Sequence, residues 1–141
     1  MKFEVVFETA ISNHIFIPIF INDKKLNALI DTGATTSCIC IELARILKLN
    51  LIHNEEMAMG INENTMIRFD VNIPEINFNN KFSFENIGCA ALNFEYINKA
   101  LIEKEIQPIQ FILGADFLIK NNAIIDYPER KLVLFPNLSK A

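Results

Sequence analysis

Asp31 is the residue in this sequence best placed to do chemistry. Ala28, Leu29 and Ile30 deliver it to the end of an apolar, β-prone run, and Thr32, Gly33, Ala34 and Thr35 follow it. A carboxylate at the end of a buried strand is costly unless it is hydrogen-bonded or functional. Gly33 lets the backbone turn and lets another backbone come close. Thr32 offers a hydroxyl that can bridge to such a neighbour. One loop of this kind holds a single carboxylate and no further acid, base or nucleophile. Two copies facing each other across a two-fold axis hold what hydrolysis needs. At close range both carboxylates cannot ionise, so the pair shares one proton and titrates as a unit. One then acts as general base on a water, and the other donates a proton to a peptide carbonyl oxygen.

The other polar candidates read more plainly. Cys38, Cys40 and Cys89 do not make a disulfide framework, and the Cys38-x-Cys40 pair is too short and isolated for a zinc site. They read as reduced, buried or half-buried thiols, and His14 and His53 lie far apart in different segments. No metal ligand set and no organic cofactor is expected. Asp116 reads as the N-cap of a short helix. Asp126 reads as a source of turn hydrogen bonds. Met57, Met59 and Met66 fit either loop packing or contact with an apolar ligand.

The elements that must position Asp31 are mostly strands. Residues 1–8 alternate apolar and charged positions and read as a first strand. His14–Ile21, with Pro18 at an edge or bulge, returns through a turn at Asn22–Lys25 into Leu26–Ile30 as a hairpin. Ser37–Ile41 is a short β-prone stretch. Glu42–Leu49 has helical spacing, with Leu43, Ile46, Leu47 and Leu49 on one side. Residues 57–66 form an excursion around Gly60. Ile67–Ile73 alternates as a strand closed by Pro74, and Ile76–Phe84 reads as a second hairpin turned at Asn79-Asn80. Ile87–Leu92 is a further small strand. Residues 94–106 hold a short helix or a long loop. Phe111–Gly114 is a strand ending in glycine, Asp116–Lys120 a helical turn, and Ala123–Tyr127 with Leu132–Phe135 a closing hairpin. Both halves place a glycine after an apolar strand and before a helix, as two similar lobes about a pseudo-two-fold axis would.

Composition sets the outer limits. A chain of 141 residues is one domain's worth, and 1–141 reads as a single unit. Its 51% hydrophobic content argues for a dense core, with some apolar surface left for a partner subunit. A net charge of −4 without a basic run makes nucleic acid an unexpected partner. No apolar run is long enough to span a bilayer. Glu4 and Glu8 interrupt what a signal peptide would need, so a cytoplasmic protein is expected.

The segments Leu29-Ile30-Asp31-Thr32-Gly33-Ala34 and Ile112-Leu113-Gly114-Ala115-Asp116-Phe117-Leu118 resemble the retropepsin-like aspartic proteases in order and spacing. Ile124–Tyr127 with Lys131–Leu134 fits that family's closing hairpin, and the resemblance covers residues 13–136. It implies an all-β acid-protease fold, a closed or partly open barrel with one or two short helices. It implies a homodimer acting on a peptide or protein, with Asp31 catalytic. Thr32 would lock the two active-site loops, Gly33 would lend its carbonyl to substrate, and Ala34 and Thr35 would line the cleft. Ile112, Leu113 and Gly114 would form the psi-shaped support, and Met59, Gly60 and Ile61 the flap. The retroviral pattern has an acidic residue where Thr35 stands and an arginine where Ala115 stands, so that charged pair is missing here. The insertion between Leu92 and Gln110 is longer than in the retroviral enzymes. Two other readings stay open. One is the same fold as a binding or dimerisation module without peptidase activity. The other is a phosphate-binding loop, since Asp31-x-Gly33-x-Thr35 also resembles that of actin-like ATPases and sugar kinases.

Overall fold

The computed structural model describes residues 1–59, 65–79 and 82–136. Along the chain run β1 (Phe3–Val6), β2 (Glu8–Thr9), β3 (Ile15–Ile21), β4 (Lys24–Ile30), β5 (Cys38–Cys40) and α1 (Ile41–Ile46). Then come β6 (Leu51–Met59), β7 (Thr65–Phe78), β8 (Phe82–Leu92) and α2 (Glu95–Glu103). The last elements are β9 (Phe111–Leu113), α3 (Ala115–Lys120), β10 (Ile124–Asp126) and β11 (Lys131–Leu134).

The larger sheet has the order β2-β3-β4-β9-β5-β8-β7-β6, and a pairing between β3 and β7 at Phe20 and Asn77 closes its middle six strands into a barrel. Period-two patterning dictates which side chains fill it. Ile15, Ile17, Ile19 and Ile21 of β3 point in, and Phe16, Pro18 and Phe20 between them are half-buried. Pro18 lies between the β2 contact at Ile15–Phe16 and the β7 contact at Phe20. The missing amide donor therefore falls in a gap of that edge, as the sequence predicts. The β3–β4 hairpin turns on Asn22 and Asp23, both at positive φ (50° and 64°), with Ile21 paired to Lys24. Asn and Asp are among the few residues that accept this two-residue turn.

The second large hairpin is longer than its sequence implies. β7 does not stop at Pro74 but runs on to Phe78, and β8 runs unbroken from Phe82 to Leu92. The register skips only the position of Pro74 and resumes at Glu75 with Glu85. Facing Pro74 in that register, Asn86 adopts φ 55°, so the strand absorbs a missing donor by local distortion rather than by ending. Phe78 pairs with Phe82 across the predicted Asn79-Asn80 turn, of which Asn79 is described, at φ 53°.

Phe78, Phe82, Phe84 and Phe117 form a ring cluster with centroid separations of 5.2–6.0 Å, and Phe3 stacks on Phe82 at 4.4 Å. It ties the hairpin to α3. In α1, Leu43 and Ala44 are buried and Ile46 is 66% exposed, and Leu47, just past the helix end, is half-buried. The helix is shorter than the predicted Glu42–Leu49 and turns a narrower face inward. The stretch 94–106 resolves into α2, whose Leu101 joins Phe94, Ile106 and Ile109 in a second apolar cluster against the outer faces of Leu29, Cys38 and Ile112. Asn98 clamps it by donating to the Ile109 carbonyl at 3.0 Å and accepting from the Ile109 amide at 2.8 Å.

β1, β11 and β10 make a separate three-stranded antiparallel sheet that pairs the first strand with the last. Glu4 of β1 meets Lys131 of β11 at 3.6 Å and its own neighbour Lys2 at 3.2 Å, and these cations lower its carboxyl below the usual range. Glu129 donates its amide to Asp126 Oδ1 at 3.0 Å, the turn bond expected of that residue. Among the described residues, no helix is long and apolar enough to cross a membrane.

Candidate active site

Asp31 sits where β4 ends, directly beside β9. β4 and β9 run parallel with Ala28, Leu29 and Ile30 opposite Phe111, Ile112 and Leu113, and β5 flanks the other side of β9 antiparallel. The chain that leaves β4 through the Asp31 turn thus returns as β5 with β9 threaded between them. Ile112 and Leu113 are buried in this support, one toward each apolar cluster. The Asp31 amide donates to the Leu113 carbonyl at 3.0 Å, which extends the β4–β9 ladder into the loop.

The turn itself is held from within. Ala34 donates its amide to the Asp31 carbonyl at 3.1 Å. Gly33 donates its amide to Asp31 Oδ1 at 2.9 Å, which fixes the carboxylate's orientation and leaves Oδ2 for another partner. Asp31 and Ala34 are half-buried, and Thr32, Gly33 and Thr35 are exposed. The carboxylate is therefore presented at a surface on a fixed backbone.

Behind the turn lies a lock that the sequence only half reveals. Ser37, fully buried, donates its amide to Asp116 Oδ1 at 3.0 Å and its hydroxyl to the same oxygen at 2.7 Å. The same hydroxyl accepts from the Gly114 amide at 2.9 Å. Ala115 donates its amide to the Ala34 carbonyl at 2.7 Å. Asp116 also accepts from the Phe117 amide, but the N-cap position of α3 is Gly114 and makes no side-chain cap. The expected N-cap role is corrected accordingly: Asp116 stands inside the first turn and reaches across to the Asp31 loop. The two segments are thus joined through one carboxylate, one serine and backbone amides.

Close approach falls on Gly114. A Cβ there would lie 2.8 Å from the Ala34 oxygen, 3.0 Å from the Thr36 carbonyl carbon and 3.1 Å from the Ser37 nitrogen, all backbone atoms. At Gly33 a Cβ would meet only Asp31 Oδ1, at 3.2 Å, and neither glycine has positive φ. The sequence reading assigned the need for glycine to Gly33; within one chain the tighter constraint is at Gly114.

β6 and β7 form an antiparallel hairpin whose last described pair is Met59 with Thr65, after an irregularity between Asn54 and Ala58. Gly60 and Ile61, expected in the flap with Met59, lie outside the described residues. Two concavities lie near the lock, one of about 290 Å³ beside α3 and one of about 260 Å³ beside Thr36. Neither is lined by Asp31. The thiols of Cys38, Cys40 and Cys89 are unpaired. Burial pushes the Cys38 thiol up to about 11 and the Cys89 thiol higher still. Among the described residues, no three His, Cys, Asp or Glu side chains converge as metal ligands.

A closed barrel with an Asp-Thr-Gly turn carried on a threaded pair of strands is the architecture of retropepsin-like acid proteases. A model described as aspartyl protease matches residues 17–117, and the chain belongs to that family. Among solved structures it is similar to a retropepsin-like aspartic protease from Rickettsia conorii, with TM-score 0.62 and 19% identity over 95% of this chain and 91% of that one. It is similar to the retroviral protease-like domain of Ddi1 from Leishmania major, with TM-score 0.58 and 15% identity over 84% and 86% of the two chains. The protease of EIAV, solved with the inhibitor HBY-793, matches with TM-score 0.56 and 20% identity over 79% and 91%. No curated protein sequence matches the chain.

Proposed function

We propose that this protein is an aspartic endopeptidase that works as a homodimer, each chain supplying Asp31. The observation that carries the reading is the Asp31 carboxylate, presented at the surface with one oxygen fixed by Gly33 and its loop locked from behind by Leu113, Ala115 and Asp116. A group so constrained is suited to meet an identical group, and little rearrangement would precede chemistry. Within one chain Asp31 lines neither concavity near it, as fits a cleft completed by a second copy. Exposed Ile119, Ile124 and Tyr127 supply apolar surface for such a partner.

The reaction follows from two carboxyl groups sharing one proton. The ionised Asp31 takes a proton from a water molecule, whose oxygen bonds to the scissile carbonyl carbon. The protonated Asp31 of the partner subunit gives its proton to the carbonyl oxygen. Collapse of the tetrahedral species breaks the C–N bond: the nitrogen takes the proton held by the first carboxyl group, one hydroxyl of the diol returns its proton to the carboxylate of the partner subunit, and an acid and an amine leave with the shared proton restored. Thr32 bridges the two loops, and Gly33, Ala34 and Thr35 line the cleft. The β6–β7 hairpin, whose last described pair is Met59 with Thr65, covers an extended substrate in strand fashion. No metal or organic cofactor takes part. The three unpaired thiols fit a reducing compartment, the cytoplasm.

The deciding experiment compares the natural chain with Asp31→Asn on a library of unfolded peptides. Cleavage should fall by about 10²–10⁴-fold, the contribution of general acid–base catalysis. An asparagine keeps the acceptor for the Gly33 amide, so the fold should be unchanged. Equal cleavage by both chains refutes the assignment of Asp31. Peptide binding without any cleavage would identify a binding module in its place.

A further inference from the structure

The concavity of about 260 Å³ beside the Asp31 loop is lined by Thr36, Arg68, Asp70, Val71, Gly88 and Cys89. Thr36 belongs to the same loop as Asp31. Arg68 and Asp70 belong to β7, near the base of the β6–β7 hairpin, where Asn54 pairs with Arg68 and Ile52 with Asp70. The concavity therefore opens between the loop that carries the carboxylate and the hairpin assigned above as the flap. Thr36, five residues after Asp31, gives that loop one wall of the concavity, and Arg68 gives the hairpin another.

Arg68 is held in a fixed attitude. Its Nε donates to Asp70 Oδ1 at 3.1 Å, and Asp70 Oδ2 accepts from Asn54 Nδ2 at 2.9 Å. Both oxygens of Asp70 are engaged, so that carboxylate orients the guanidinium and has little capacity left for a ligand. A guanidinium has five N–H donors in a planar fork. With Nε committed, its terminal amino groups remain, and among the described residues no acceptor meets them. The Arg68 side chain is only 27% exposed, so a partner found there would be partly shielded from water. This is an oriented donor array at the wall of a concavity, the geometry that selects a carboxylate over a neutral amide.

We propose that this concavity takes an acidic side chain, Asp or Glu, of the bound polypeptide. Arg68 sets the specificity and Asp70 positions it. The inference rests on the reading of the Asp31 groove as a polypeptide site, and it adds the class of sequence that site selects.

The test separates binding from cleavage. Two peptide pools of matched random sequence, one with Glu and one with Gln fixed at a central position, are captured on the Asp31→Asn chain and quantified by mass spectrometry. The Glu pool should be retained about tenfold better, the effect of one charge-assisted hydrogen bond. Arg68→Gln in the same background should erase the difference, and Arg68→Lys, which keeps the charge but not the fork, should restore part of it. Equal retention of the two pools, or a preference that survives Arg68→Gln, overturns the proposal. Cleavage by the natural chain is read separately. Cleavage without the Glu preference removes this inference and leaves the peptidase. A Glu preference without cleavage does the reverse.

Discussion

Replacing Gly114 by alanine tests whether the Asp31 loop is held by backbone contact. The added methyl would lie 2.8–3.1 Å from three backbone atoms of residues 34, 36 and 37. None of these is the free end of a side chain, so relief requires the loop or β9 to move. Overpacking of this kind costs about 1–3 kcal/mol. Movement also lengthens the Ala115–Ala34 bond (2.7 Å) and the Gly114–Ser37 bond (2.9 Å), each worth about 1 kcal/mol. The expected loss is about 2–4 kcal/mol, read as a lower urea midpoint with unchanged slope. Gly88→Ala is the control, because a Cβ there meets nothing within 4 Å. That change should stay within about 0.5 kcal/mol of the natural chain, the usual range for a surface substitution. If the Gly114 and Gly88 variants melt alike, the contact at Gly114 does not hold the loop and the argument fails.

Ser37→Ala removes the hydroxyl between Asp116 and the Gly114 amide. It should cost about 1–3 kcal/mol by leaving a buried amide unpaired, measured by the same denaturation. Phe78→Ala empties the centre of the ring cluster and should cost about 3–5 kcal/mol, read as a lower Tm. The buried thiols predict an alkaline weakness. Folding raises the Cys38 thiol from 9.0 to about 11, so its contribution is fully present below about pH 9 and is lost as pH rises toward 11. The urea midpoint should fall across that window, and Cys38→Ala should flatten the fall; a midpoint unchanged from pH 9 to 11 contradicts the burial argument. A thiol reagent at neutral pH should modify half-buried Cys40 before Cys38 or Cys89, which mass spectrometry of digests would show.

The sequence by itself determined the elements whose patterning repeats locally. The alternation of Ile15, Ile17, Ile19 and Ile21, the Asn22-Asp23 turn and the apolar delivery of Asp31 each depend on neighbours close in the chain. That the Ile112-Leu113-Gly114 segment lies beside the Asp31 turn was legible from the residue types and order on which the family resemblance rests. Tertiary structure decided whatever depends on partners distant in sequence. Pro74 reads as a stop, yet β8 lies alongside it and carries β7 past. Asp116 reads as a helix cap, yet Ser37, 79 residues away, claims its carboxylate. Arg68 carries no signal of its own in the sequence, and only the fold sets it with Thr36 and Gly88 around a shared concavity. A local rule fixes what a residue can donate or accept; only the closed barrel fixes which of those groups come within bonding distance.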